Sequence, residues 1–183
     1  MVHTHLDGVL FSRMVYLGAN LLSDNVRVVD GLNVFPVPDG DTGTNMNLTF
    51  TSGVDELRRK ESPRISDSAA ALAKGLLMGA RGNSGVILSQ LFRGLSKSVN
   101  GKDEVNARQF ADALKAGVDA AYQAVMKPVE GTILTVAREA AEMAVRAART
   151  SDDIVSVMEK TYEQAQATLL RTPEMLPVLK EVG

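Results

Sequence analysis

Apolar residues recur at helical spacing along most of the chain. Leu6, Leu10, Met14, Leu17 and Leu21 form a first stripe and predict a helix over residues 4–24. The stripe stops between residues 26 and 41. There Pro36 and Pro38 fix φ and disfavour helix at the residues before them, so Val34 to Pro38 reads as a stiff, extended loop. Helical spacing resumes at Thr42–Thr44 and continues to about Lys60, where Ser62-Pro63 ends it. Ser66 or Asp67 can cap a helix over 67–79. The next helix, opened by Ser84 and Gly85, carries Val86, Leu88, Leu91, Phe92 and Leu95. Asn106 caps a long helix with Phe110, Leu114, Val118, Ala121 and Val125 on one face, and Pro128 to Gly131 interrupts it. Thr132 to Arg149 reads as an Ala-rich helix. Thr150 or Ser151 caps another with Ile154, Val157, Met158, Ala165 and Leu169, and Pro173 suits the first turn of a last short helix. No segment alternates like a strand, and there is no internal repeat or low-complexity linker. The pattern predicts one all-α domain, a bundle of about eight helices whose short connections make neighbours antiparallel.

Composition sharpens this picture. A chain of 183 residues is long enough for one substantial core. Aromatics are only 4% with no Trp, and Ala is abundant, which favours closely packed helices over a β-sandwich. A net charge of −2 gives no support for binding nucleic acid or an anionic membrane. The absence of Cys excludes disulfides and thiolate metal sites. His3, His5 and Asp7 stand where a signal peptide would need a basic start and an apolar block. No apolar run approaches the ~18 residues of a membrane helix, so no stable membrane insertion is expected; the absence of Cys fits the cytoplasm, the expected location.

The richest chemistry lies in Asn33-Val-Phe-Pro-Val-Pro-Asp39-Gly-Asp41-Thr-Gly-Thr-Asn45-Met46. Asp39 and Asp41 are separated only by Gly40. At about 4 Å two such charges repel by roughly 4 kcal/mol at an effective dielectric of ~20. A divalent cation relieves that repulsion, and hard oxygen ligands without sulfur or histidine suit Mg²⁺, which keeps positions for substrate phosphates. Asp-Gly-Asp-Thr-Gly alone would read as a solvated turn and helix cap. The stiff Pro-Val-Pro before it and the Thr-Gly-Thr-Asn helix start after it turn that reading into a magnesium-phosphate site, because a helix N-terminus offers free N–H groups to phosphate.

Two further segments bear on the same chemistry. In Gly79-Ala-Arg81-Gly82-Asn83-Ser84-Gly85 the glycines allow close approach of backbone to a ligand, and the following helix start can meet a phosphate. The bland alternative is a tight turn between helices. No Gly-Lys-Ser/Thr follows, so this is not a Walker A loop, and the other protein-kinase motifs are missing. Pro128-Val-Glu130-Gly131-Thr132 is a helix break with a capping hydroxyl. The two histidines, near the N-terminus, read as solvated, and no Ser-His-Asp or Cys-His set can be assembled.

These three motifs together resemble the N-terminal domain of the ATP-binding component of bacterial fatty acid kinase, which is related to the L (ATP-binding) subunit of dihydroxyacetone kinase. The resemblance covers nearly the whole chain. It implies a DhaL-like, barrel-like bundle of eight antiparallel helices that holds ATP or ADP at one end through two Mg²⁺ ions. Asp39 and Asp41 match the family's metal-binding aspartates. A third aspartate of the related kinase is matched here by Asn33, with Asp30 as the alternative. Thr42, Gly43, Thr44 and Asn45 match the segment around the phosphates. Asn83, Ser84 and Gly85 match a second nucleotide contact, and Thr132 and Arg171 match more weakly. The family continues into an Asp-Ala-Gly-Gly-like turn and further domains. With neither present, residues 1–183 are expected to be a fragment of a longer multidomain chain, its homodimerisation and acceptor-side residues belonging to the full-length protein.

The implied reaction is phosphorylation of a fatty acid carried by a separate, DegV-like fatty-acid-binding protein, giving an acyl phosphate. Phosphoryl transfer rests on positioning and charge neutralisation, which suits a site with carboxylates and helix-start amides but no evident base. The alternatives are a dihydroxyacetone-type small-molecule kinase, a nucleotide-binding module without activity of its own, and a dehalogenase-like phosphatase suggested by Asp-x-Asp. The last needs an α/β pattern that the chain lacks.

Overall fold

The computed structural model describes residues 2–182. Its elements are β1 (His5–Asp7), α1 (Gly8–Asp24), α2 (Val26–Gly31), α3 (Thr42–Arg59), α4 (Ile65–Met78), α5 (Gly82–Ser98), β2 (Glu104–Asn106), α6 (Ala107–Ala124), α7 (Ile133–Ala147), α8 (Ile154–Met175) and α9 (Val178–Val182). The all-α expectation holds, with seven long helices and two short ones among the described residues. Leu6, Leu57, Ile65, Leu72, Leu76, Val99 and Val157 are fully buried at its centre. Glycine lets the helices approach closely. A Cβ on Gly94 would stand 2.3 Å from the carbonyl oxygen of Ala116, and one on Gly117 2.4 Å from that of Leu91, so α5 and α6 touch backbone to backbone.

Neighbours in sequence run antiparallel. Ser52 of α3 faces Gly79 while Glu56 faces Gly75, and Gly131, just before α7, faces Leu176 while Glu139 of α7 meets Thr168 of α8, so the residue numbers run in opposite directions along each pair. It follows that α3, α5 and α7 all begin at the same end of the bundle, where α4, α6 and α8 finish. The other end is sealed by main chain. β1 pairs antiparallel with β2, Leu6 opposite Val105. Gly8 donates to the Pro63 carbonyl, Ile65 to Asp103, Ser66 to Lys102 and Ile154 to His3.

Several details depart from the sequence pattern, each for a physical reason. Two short strands form, although the pattern predicts none; three residues each are too few to show alternation. The first helix begins at Gly8, and its core face is Phe11, Ser12 and Val15. Of the expected stripe, Leu6 is fully buried and Leu10 and Met14 pack against the edge of the core, while Leu17 and Leu21 stay 70% and 67% exposed. α2 lies inside the segment read as a break, since six residues hold less than two turns of periodicity. α4 starts at Ile65 with no side-chain cap, because the carbonyls of residues 102 and 103 take its first amides. Ser66 instead accepts the Gly101 amide, and Asp67 the Ser62 hydroxyl. Asp153, not Thr150 or Ser151, caps α8. Pro173 lies within α8 rather than opening a new helix; the Leu169 carbonyl that it leaves without an amide donor accepts the Thr172 hydroxyl at 2.8 Å. Asn106 does cap α6, in a full capping box with Gln109. No helix of the described residues is long and apolar enough to cross a membrane.

Candidate functional site

The first motif folds into a loop that ends on the start of α3. Asn33 ties the loop to itself: its amide donates to Asp39 Oδ1 at 2.7 Å and to the Val37 carbonyl at 3.0 Å, while its oxygen accepts the Thr42 hydroxyl at 2.5 Å. Gly40, at φ +67°, makes the turn between the two aspartates, a conformation that favours glycine. Both Asp39 and Asp41 are exposed. Asp41 is the N-cap residue, and its carbonyl accepts the Asn45 amide.

Asp30, the alternative third ligand, reaches this helix start from α2. Its carboxylate accepts the Thr44 amide at 2.9 Å and the Thr44 hydroxyl at 2.8 Å. Those two bonds, the backbone one foremost, hold its carboxyl below the usual carboxylate range against the opposing effect of burial. The Thr44 amide is therefore engaged within the protein.

The second motif lies directly beside the first. Gly82, at φ +60°, faces Asn45, whose Nδ2 would stand 2.6 Å from an added Cβ; a Cβ on Gly85 would meet Thr49 Oγ1 at 2.4 Å. Thr49 is fully buried and links the motifs: its hydroxyl accepts the Arg81 amide at 3.1 Å and donates to the Asn45 carbonyl at 2.7 Å. The helix starts at Gly82, two residues before the expected position, so Gly85 already donates to Arg81 within the first turn. The amides of Gly82, Asn83 and Ser84 have no partner among the described residues. Asn33, Asp39, Asp41 to Asn45 and Asn83 to Gly85 are thus brought together where α3 and α5 begin.

Thr132 and Arg171 stand at the same end in a separate group. Thr132 caps α7, accepting the Leu134 amide and donating to the Val129 carbonyl. Arg171 pairs with Glu139, which also accepts the Thr168 hydroxyl at 2.7 Å. The Thr168 bond first, then the Arg171 charge, hold the Glu139 carboxyl low. Glu130 accepts from Thr135 at 2.8 Å, from Arg138 at 2.7 Å and from Tyr122 at 3.2 Å. Burial pushes its carboxyl up, but these bonds and the Arg138 charge outweigh that and hold it low. No hydrogen bond joins this group to the Asp39–Ser84 group among the described residues.

Sequence reading misses Thr49, Glu130, Arg138 and Glu139 as organising residues. Thr49 carries one usable signal: it falls one helical turn after Asn45, on the side that must face the Gly79–Gly85 segment. The networks around Glu130 and Glu139 join residues up to 32 apart and leave no local signature.

The donor set is all oxygen. No group of three or more acidic, histidine or cysteine side chains converges among the described residues. Two exposed carboxylates flanking one glycine suit an ion that takes one or two protein carboxylates and completes its shell with water and phosphate, as Mg²⁺ does. The clefts of about 340 Å³ (Arg108, Asp112, Val145, Arg149) and about 450 Å³ (between α1 and α8) lie elsewhere.

The chain is thus a helical bundle with exposed acidic oxygens at the start of α3 and, among the described residues, unpartnered amides at the start of the parallel helix α5. Residues 36–183 match the DAK2 domain, and the chain belongs to that family. The family is that of the L-type, nucleotide-binding module of dihydroxyacetone kinase systems. The chain is 62% identical to Protein YloV of Bacillus subtilis over 97% of its own length and 32% of that protein's. It is 58% and 54% identical, over the same shares, to uncharacterized proteins of Staphylococcus saprophyticus and Staphylococcus aureus. The chain thus spans about a third of the length of the curated relatives it matches.

Proposed function

We propose that this chain is the Mg-nucleotide-binding domain of a fatty acid kinase working in the cytoplasm. The observation that carries the reading is the juxtaposition of the Asp39/Asp41 turn with the unpartnered amides of Gly82, Asn83 and Ser84. Asp39 and Asp41, braced by Asn33, would hold Mg²⁺, two ions by resemblance. Bound Mg²⁺ supplies positive charge that neutralises the phosphates of ATP or ADP. The α5 amides hold phosphate oxygens at the positive end of that helix. Thr42, Gly43 and Asn45 line the approach, and Thr132 and Arg171 border the same end. Glu139 now holds Arg171, so a phosphate contact by Arg171 requires that pair to open.

The acceptor is a fatty acid carboxylate presented by a DegV-like carrier protein. Its oxygen forms the new bond to the γ-phosphorus while the bond to the ADP oxygen breaks, leaving acyl phosphate and ADP. Residues beyond this domain complete the reaction in the full-length protein, where a homodimer also belongs. The Asn-Val-Phe-Pro-Val-Pro approach to the aspartates favours this acceptor over dihydroxyacetone.

Calorimetric titration of ADP and ATP, with and without Mg²⁺, tests the nucleotide site. Binding that needs Mg²⁺ is expected; its absence in a folded chain would overturn the reading. Assay of a full-length relative with a carrier-bound fatty acid and with dihydroxyacetone separates the acceptors, and phosphorylation of dihydroxyacetone alone would reverse the choice.

A further inference from the structure

The starts of α3 and α5 lie side by side and are treated differently. At α3 the Asp30 carboxylate is already in place, holding the Thr44 amide at 2.9 Å and the Thr44 hydroxyl at 2.8 Å. It reaches them because α2 lies tight against α3, where a Cβ on Gly43 would stand 2.3 Å from the Val26 carbonyl oxygen. A negative charge thus sits on the positive end of α3. At α5 no side chain caps the helix, and the first three amides have no partner among the described residues.

We propose that Asp30 is a positioning residue that divides the two helix starts between cation and phosphate. By holding Thr44 it fixes the first turn of α3, from which Asp41 and Asp39 extend. Its charge keeps phosphate away from that turn unless a cation stands between them. The start of α5, with no such carboxylate, takes the phosphate directly. This inference rests on the nucleotide reading above.

A plain structural cap would support binding equally with and without metal, whereas Asp30 in this role couples nucleotide to Mg²⁺. ADP is titrated into the chain and into Asp30→Asn and Asp30→Ala, once with Mg²⁺ and once with a chelator. Asp30→Asn keeps an acceptor for the Thr44 amide and removes the charge. Its Mg-supported binding is expected to weaken while metal-free binding holds or tightens. The ratio of the two affinities falls about 10–100-fold, the range for residues that orient metal ligands. Asp30→Ala lowers the ratio at least as far, with helical content and thermal unfolding recorded alongside; if it fails to fold, Asp30→Asn decides. Equal weakening with and without metal, or an unchanged ratio, would overturn the proposal. So would complete loss of the Mg²⁺ effect, which marks a direct ligand. A wild-type chain without Mg-dependent binding would overturn the nucleotide reading and this inference together. A wild-type chain that binds with Mg²⁺, beside variants that keep its ratio, would overturn this inference alone.

Discussion

The two ends of the bundle are built from the same helices and finished by different means. At the sealed end, β1 lies on β2, loop carbonyls take the first amides of α4 and α8, and the Asp7, Asn106 and Asp153 side chains cap α1, α6 and α8, so each helix that begins there has its start engaged. At the open end, side chains hold the starts of α3 and α7, and at α5 nothing does. Backbone amides paired with backbone carbonyls are permanently engaged and hold the frame. Amides left free, as at the start of α5, stay available to an anion. The contrast separates residues that should set stability from residues that should set binding.

The largest expected effect breaks the open end alone. Outer partners of a metal ligand cost about 10–100-fold in affinity, so Asp41→Asn, which alters a ligand itself, should weaken Mg-dependent ADP binding by more than about a hundredfold. Its exposed position predicts thermal stability within about 0.5 kcal/mol of wild type. Calorimetry and a melting curve on the same sample check both. The sealed end should behave in the opposite way. Leu6 is fully buried in β1, and Leu6→Ala should cost about 2–5 kcal/mol in urea unfolding while the folded fraction keeps its ADP affinity.

Gly82→Ala sharpens the comparison because it touches both quantities. The clash with Asn45 Nδ2 can be relieved by rotating that flexible side chain, but φ +60° remains, and it should cost about 1–2 kcal/mol. The same strain displaces the α5 amides, so ADP binding should fall too, unlike in Leu6→Ala.

The smallest effect concerns acid. Glu56 is nearly buried where α3 packs on α4, with Lys74 at 3.3 Å and Lys60 at 3.7 Å. The Lys74 bond foremost, then the charges of Arg59, Lys74 and Lys60, hold its carboxyl below its ordinary 4.5 against burial. A lowered folded value means that its stabilisation is complete above pH 4.5 and is lost as pH falls through the depressed value. Glu56→Gln should therefore flatten the acid limb of a stability-against-pH curve and leave its slope above neutral pH unchanged.

The long helices are legible in the sequence because their apolar faces repeat over several turns, as in α6 from Phe110 to Ala121. The Asn33–Met46 and Gly79–Gly85 motifs are legible because their chemistry is local. What stays hidden depends on distant partners. Nothing near Arg64 says that Asp103 and Lys102 will supply the carbonyls that start α4. Nothing near Asp30 says that it will hold Thr44 fourteen residues on. Pro173 reads as a helix start until the Thr172 hydroxyl is seen to satisfy the carbonyl that the proline leaves open. The core face of α1 is legible only in part: Leu10 and Met14 of the stripe pack against the core, but Leu17 and Leu21 stay exposed and the pattern does not mark Phe11 and Val15, which are buried.

Nucleotide binding at the open end, where α3 and α5 begin, is the central claim. Backbone amide NMR spectra recorded with and without ADP and Mg²⁺ test it most directly. The largest shifts are expected at residues 39–45 and 82–85, with the β1–β2 ribbon and residues 63–66 unmoved. Shifts centred on the sealed end or on the α1–α8 groove, with residues 39–45 and 82–85 unmoved, would contradict it.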